Sequence, residues 1–595
     1  MIPIFALLLL CSSLSFAPSA SNLATNCRIV RIVIPSDCRP DVEAGVEGSA
    51  FAISQDVTAP QLEQLSEQKR WTEIIRLAES TQAPSADLQY YYGLAVFHVE
   101  AQLGNFERAQ QVLLAGHNSY PRDKRFPTEL AGIAFRQKNY SQAARWLQRA
   151  LQINPRDAYA NDFLATAYFL EGNLDAALKY WNRVDKPHVA GIRFEPQPTL
   201  DPILLDRAFA FAPESTLRLE ELWTTESRLR ALGIFPSSTI DLAPRADGQF
   251  DTLFRSVERN GWGEGKLQTA LSFFRGVFQQ TVYPEYRNAN SSAINFTSLY
   301  RWDAQRRRVF ASLSAPLRHD AKWRYNFNLD LRNENWDIRN SPSDTAPILG
   351  AFNLRKVSVS TGINSLPDWR WGWSTGVELT HRDFRSVVTG PALTATTIPD
   401  GTQLAHFAQL NYELLRIPER RLTISSDLQA HTGGVLSGSQ IFFSKLQAHA
   451  KLRWLPQPRG DDYETITHVT VARGFGDVPF DEMWTLGLDP DSDLLLRAHS
   501  VTRDGRKGNS PLGPSYFLSN SEFSKVAYSN GLFALKIGPF VDAAKIMNST
   551  YNYEGNKWLY DAGLQLRLSA LGVGFTFSYG KDLRSGSNLF YLSAR

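Results

Sequence analysis

Between residues 322 and 332 the chain alternates strictly. Trp323, Tyr325, Phe327, Leu329 and Leu331 are apolar, and Arg324, Asn326, Asn328, Asp330 and Arg332 between them are polar. A period of two puts each set on its own face of a β-strand. Leu446, Ala448, Ala450, Leu452 and Trp454 alternate in the same way with Lys445, Gln447, His449, Lys451 and Arg453. So do Ala562, Leu564, Leu566 and Leu568 with Gly563, Gln565, Arg567 and Ser569, and Val573, Phe575, Phe577 and Tyr579 with Gly574, Thr576, Ser578 and Gly580. A soluble sandwich hides its apolar face against a second sheet and rarely uses strands of about eleven residues. Strands of about nine to eleven residues with arginines on the other face fit a lipid-facing wall around a wet lumen. The pattern predicts a C-terminal transmembrane antiparallel β-barrel of about sixteen strands over residues 260–595. Trp323, Phe327, Leu452, Trp454, Phe575 and Phe577 are expected to face lipid.

Upstream the period changes. Asn105-Phe106, Asn139-Tyr140 and Asn173-Leu174 recur at intervals of 34, as do Ala109, Ala143 and Ala177. Pro121 and Pro155 keep that interval, and Leu130-Ala131 matches Leu164-Ala165. Small residues at such points let paired helices approach closely, and the proline stops the second helix of each pair. The spacing and residue types resemble tetratricopeptide repeats, with a longer first helix in the unit over residues 93–121 and a degenerate unit near Trp71. An array of this kind presents a concave docking surface; the plainer reading is a spacer that braces the C-terminal part of the chain.

From His188 the pattern reads as strand (residues 189–194), helix (202–209), longer helix (215–232) and two strands (238–242 and 250–257) joined at Asp247-Gly248. The stretch Ser227-Arg228-Leu229-Arg230-Ala231-Leu232-Gly233-Ile234-Phe235 resembles the end of a POTRA domain, where the long helix stops at glycine and an apolar pair enters the next strand. The resemblance implies sheet edges open to extended chains by strand addition. A small α+β linker domain is the alternative.

Composition adds less. The 35 Phe, 21 Tyr and 14 Trp suit a membrane barrel with aromatic girdles, but a large soluble β-protein would show them too. A net charge of +3 with no basic tail makes no case for nucleic acid. The first residues say more about compartment: an apolar run over residues 2–10, then small residues over 12–20, reads as a signal peptide too short to span a membrane. Leu10 before Cys11 makes a poor lipoprotein processing site. Cys27 and Cys38 would remain, either as a disulfide closing a short loop or as two unrelated thiols. No later stretch approaches about eighteen consecutive apolar residues, so any crossing is made by strands. The expected order is signal peptide (1–20), N-terminal linker (21–60), repeats (61–186), POTRA-like domain (187–259) and barrel (260–595).

Three stretches near the C-terminus carry a more specific likeness. Leu496-Arg497-Ala498-His499 lies in a long segment after Pro479-Phe480-Asp481-Glu482 and Leu486-Gly487; Tyr516 opens the strand-like run YFLSNSEF with Glu522 in it; and Phe540, Asp542 and Ala544 share one strand face. In this order, after a POTRA-like segment, they resemble the outer-membrane assembly and two-partner-secretion superfamily, also called the bacterial surface antigen family. The resemblance implies a loop folded into the lumen with Arg497 at its tip, held by Asp542, with Glu522 as the fallback partner. Ala498 and His499 stand where the family has glycine and an aromatic, and Ala544 where it has glycine. Ala472-Arg473-Gly474-Phe475 matches the loop motif better letter for letter, but it ends a strand before the long segment begins.

The chemistry of enzymes is missing. No G-x-S-x-G, H-E-x-x-H, paired C-x-x-C or P-loop occurs, and the ten histidines lack ligand spacing, so no cofactor or metal is expected. His449 and His468 read as solvated residues of the inner face, and Arg306-Arg307-Arg308 as a solvated turn or membrane-edge cluster. The resemblance implies an outer-membrane barrel that translocates or assembles a client polypeptide, with its N-terminal domains and partner proteins in the periplasm. A polysaccharide-export porin on a tetratricopeptide scaffold is the alternative, and a barrel serving only as an anchor is a third reading.

Overall fold

The computed structural model describes residues 58–594 except 102–103, 263–275, 277–279, 344, 392, 394–397, 437–440, 531–532, 550–552 and 571–572. The expected signal segment, most of the linker and the Cys27/Cys38 pair lie outside the described residues. No described helix is long and apolar enough to cross a membrane.

Eight helices open the described chain, from Ala59–Glu67 and Trp71–Ser80 to Ala158–Glu171 and Leu174–Trp181. The 34-residue register is visible as packing. Ala109, Ala143 and Ala177 are all fully buried, and so are Ala131 and Ala165. Asn139 and Asn173 cap the helices Tyr140–Ile153 and Leu174–Trp181, each accepting the N–H three residues on. In the long helix Ala86–Ala101, Gly93 lies so close to Leu113 of the next helix that a Cβ would collide with it.

The next module is built from His188–Glu195, Pro202–Ala208, Leu219–Leu232, Ser237–Pro244 and Phe250–Val257. His188–Glu195 and Phe250–Val257 run parallel, and Ser237–Pro244 pairs antiparallel outside them. Residues 215–216, expected to begin the long helix, instead form a short strand paired with residues 188–189. The helix starts only where Glu221 can accept the backbone N–H of Arg218. It ends at Gly233 with φ +70, a left-handed stop that glycine supplies without strain. Phe169 and Trp181 of the last repeat pack on Phe250, so repeats and module share one apolar core.

The remainder closes into a barrel. Counting Thr281–Val282 with Glu285–Ala289 as one interrupted strand, the wall has about sixteen strands, antiparallel throughout. Outward positions are apolar around the ring: Leu379 sits opposite Val359 on one side and Leu404 on the other, and Phe327, Leu428, Leu446, Val541 and Leu564 are exposed. A continuous apolar belt on a closed wall is a surface made for hydrocarbon rather than water.

Most of the wall strands from Arg306 onward run longer than the nine to eleven residues expected; Asp320–Arg339 has 20. The excess lies at the end away from the arm, and there the inner face changes character. Arg324, Asn326 and Asn328 face inward along the first part of this strand, while Trp336 and Ile338 face inward and are buried in its last part. The barrel therefore projects beyond its lipid belt into a collar with an apolar interior.

The arm is seated on the opposite rim. Asn173 donates to the Pro418 carbonyl at 2.9 Å, Lys179 pairs with Glu419 at 2.6 Å and Arg416 with Asp175 at 2.9 Å. Trp223 packs edge-on against Trp369 at 4.5 Å between centroids, and Arg228 donates to the Pro367 carbonyl.

Candidate functional site

The strand Tyr463–Gly476 is followed by a segment, residues 477–514, that leaves the collar and folds down inside the barrel before the strand Ser515–Ser529 resumes the wall. Its entry is apolar. Phe480 is fully buried against Trp336 and Phe352, with Leu486 and Leu496 in the same cluster. The inward switch of Trp336, Ile338, Phe352 and Phe384 thus has a partner, because the loop supplies the other half of a core.

Below that core the loop is tied to the wall by charge. Glu482 receives Lys445 at 2.8 Å and Lys356 at 2.9 Å, and Asp481 receives Lys356 at 3.1 Å and Arg382 at 3.1 Å. Asp491 pairs with Arg301 at 2.5 Å and Asp489 with Arg306 at 2.8 Å, while Lys507 meets Glu334 at 3.0 Å. Most of these groups are buried and none of their side chains is more than 14% exposed, and breaking one side of such a pair is costly.

The tip carries the densest contact. Arg497 Nη2 lies 2.6 Å from Asp542 Oδ1 and Nε 3.0 Å from Oδ2, while its own backbone N–H also donates to Oδ2 at 3.0 Å. Nη1 donates to Gln565 at 2.9 Å and reaches Glu522 at 3.3 Å. The guanidinium stacks on the Phe540 ring, 3.7 Å from its centroid. The next residue repeats the theme: the Ala498 N–H donates to Asp561 Oδ2 at 2.6 Å, and His499 Nδ1 lies 3.2 Å from the same oxygen. A Cβ on Gly580 would strike the Arg497 carbonyl, so this glycine lets the loop backbone lie against the wall.

Arg497, Ala498, His499, Glu522, Phe540 and Asp542 therefore meet in one place inside the barrel, and Leu496, just before them, belongs to the apolar core. Ala544, on the same inner face, lies higher, in the apolar cluster with Leu496 and Leu518. Ala498 does not take a left-handed backbone, so the position itself does not require glycine. Ala472-Arg473-Gly474-Phe475 stays in the wall, with Arg473 stacked on Phe475 at 5.1 Å and neither in the loop cluster.

One expectation is corrected here. Arg306-Arg307-Arg308 is neither a turn nor a membrane-edge cluster; it begins the strand Arg306–Leu317. Alternation sends Arg306 and Arg308 inward to Asp489 and Asp491, and only Arg307 is exposed. His449 and His468 face inward as expected but stack on each other, Nε2 to Nδ1 2.9 Å. Asp481, Asp489, Asp491, Asp561 and Gln565 are site residues that no sequence motif marks. A usable signal was present, since four of them are acids spaced along or opposite a segment whose walls carry inward Lys and Arg.

Fold and site together define a class: a tetratricopeptide-repeat arm and a POTRA-like module at one rim of a closed antiparallel barrel, with a long loop pinned across its lumen. Among known sequences, a family model described as a tetratricopeptide repeat matches residues 134–189. No curated protein matches the chain. Among solved structures the chain is similar to BamA from Haemophilus ducreyi lacking POTRA domains 1–3, at 15% identity and a TM-score of 0.40, over 69% of this chain and 84% of that one. It is also similar to CdiB from Escherichia coli (13%, TM-score 0.45, 69% and 75%) and CdiB from Acinetobacter baumannii (10%, 0.41, 68% and 73%).

Proposed function

We propose that the chain is an outer-membrane barrel that translocates or assembles a client polypeptide, with its repeats and POTRA-like module in the periplasm. The observation that carries this reading is the loop. A pore for small solutes needs no 38-residue segment tied to opposite walls by buried ion pairs at several levels. A conduit that must stay closed between clients does. The repeat arm and the sheet of the POTRA-like module sit at the rim where a client would arrive, and their surfaces suit an extended chain. No nucleotide or cofactor is required, because folding and strand pairing of the client supply the free energy.

The test has two readouts. Removing residues 484–513 should convert purified barrels in planar bilayers from a nearly closed state to a large steady conductance. A photocrosslinker at Tyr159, exposed on the repeats, should capture a protease-sensitive adduct in cells. Unchanged conductance after loop removal would show that the loop does not close the lumen. An adduct degraded by glycosidases instead would replace the polypeptide client with a polysaccharide.

A further inference from the structure

His499 has a second face that the loop contact does not use. Its Nδ1 is engaged by Asp561, but its Nε2 makes no hydrogen bond although the ring is fully buried. That nitrogen lies 3.8 Å from Asp582 Oδ2, and a carboxylate oxygen of Glu554 completes a group whose ligand atoms all lie within 4.8 Å of one another.

We propose that His499 Nε2, Asp582 and Glu554 bind a divalent transition-metal ion of the zinc type, with Asp561 orienting the imidazole. Three observations point the same way. A histidine that ligates a metal commonly gives its other ring N–H to a carboxylate, which fixes the tautomer, and Asp561 is placed to accept it. Asp582 is held rigidly: its Oδ1 accepts the Arg584 N–H at 2.9 Å and its Oδ2 the Ser585 hydroxyl at 2.5 Å. Third, the separations are within reach of an ion once the ligands close on it. Bonds of about 2.0–2.1 Å in a tetrahedron place ligand atoms about 3.4 Å apart, so the 3.8 Å gap needs a shift of a few tenths of an ångström. Glu554, in the short turn Tyr553–Asn556, has its oxygen within 4.8 Å of the other two ligand atoms and Arg584 beside it at 3.7 Å.

The competing account is an imidazolium bridging Asp561 and Asp582. It is the poorer fit, because closing 3.8 Å to hydrogen-bond distance takes a larger shift than the ion requires, and without it a charged N–H is left unbonded in a buried site. The three ligands come from the loop, the turn after Phe533–Met547 and the end of Val573–Asp582, so no local spacing in the sequence could reveal them. The site stands on this geometry alone and does not depend on the transport reading.

The full chain in detergent, stripped with a chelator and titrated with Zn2+ by calorimetry, should take up one equivalent. Glu554→Gln and Asp582→Asn should each weaken that uptake by at least about tenfold, and Asp561→Asn by about 10–100-fold. Zn2+ should also slow proteolysis of the wild-type loop but not of Glu554→Gln. Absence of stoichiometric uptake, or equal affinity in wild type and both ligand variants, would overturn the site and leave the bridging imidazolium. Glu554→Gln is the deciding variant, since Glu554 makes no contact with Arg497 or Asp542 and its loss leaves the loop anchor in place.

Discussion

Both ends of the barrel are occupied, but by different physical means. At the far end the loop enters the lumen and is held by an apolar core and by ion pairs whose side chains are at most 14% exposed, down to 3% and 0% in Arg497–Asp542. At the near end the arm sits on the rim from outside. Its pairs are wetter: Lys179 and Glu419 are 37% and 11% exposed, and Arg416 and Asp175 20% and 26%. Coulomb attraction counts for several times more where water is excluded, and screening by salt reaches only the exposed pairs. The lesson is one of division of labour. The far end is a stiff closure whose opening must break buried contacts; the near end is a seat whose strength depends on its solvent.

The largest effect should therefore come from the far end. Arg497→Ala or Asp542→Ala removes one half of a buried, multiply bonded pair, at about 3–5 kcal/mol. Each single variant should make the loop protease-sensitive and raise resting conductance, and the double variant should be no worse than either. Additive effects across that cycle would show that the two residues do not act as a pair.

Phe480→Leu comes next. It trims the apolar entry of the loop without touching a charge, costing about 2 kcal/mol of local packing. Hydrogen exchange should quicken in residues 477–490 with little change at Arg497. Equal quickening at both would mean that the loop opens as one unit and that core and ion pairs are not separate fastenings.

At the near end Arg416→Ala should cost only about 1 kcal/mol, since its partners are partly solvated. Its guanidinium also covers Trp223 at 4.2 Å from the ring centroid, so part of the loss is packing. Crosslinking of the arm to the rim should fall more in the variant than in wild type, and added salt should narrow that difference. A loss as large as that of Arg497→Ala would erase the contrast between the two ends.

The far end was only half legible in the chain. The period of two in residues 322–332 requires a strand whose arginines share a face, and the 34-residue period requires paired helices; both patterns are local and repeat many times. Arg497 and Asp542 could be joined because the family resemblance links them. Arg306 could not be placed, since whether a basic tripeptide is turn or strand depends on a partner, Asp489, 183 residues away. The apolar collar was hidden for a related reason. Trp336 and Ile338 continue the inward parity of Arg324 and Asn326, so the change from wet to dry shows only once something fills the lumen there. The near-end seat had no local signal at all, because Arg416 ends a wall strand and Glu419 lies in the tight turn after it, a strand end and turn that look like any other.

The smallest prediction concerns pH and the near end alone. Glu226, on the helix Leu219–Leu232, lies 3.7 Å from Arg416. Burial, and then the neighbouring Asp175 carboxylate, push its carboxyl up to about 7, with Arg416 pulling the other way. A carboxyl whose affinity for a proton is raised on folding favours the folded junction when protonated. That contribution is fully present below the ordinary glutamate value near 4.5 and is lost as pH rises through about 7. The arm should thus sit more firmly on the rim at pH 5 than at pH 8. Because Glu226 is 31% exposed, water screens part of the effect, and it should be smaller than that of Arg416→Ala. Crosslinking yield between arm and rim, followed from pH 5 to pH 8, should decline in the wild type and stay level in Glu226→Gln. The far-end closure, read by loop proteolysis in the same samples, should not follow the Glu226 substitution at any pH. A loop that loosened in step with the arm would mean that the two ends are coupled, and the contrast between a stiff closure and a tunable seat would have to give way to a single transition spanning the barrel.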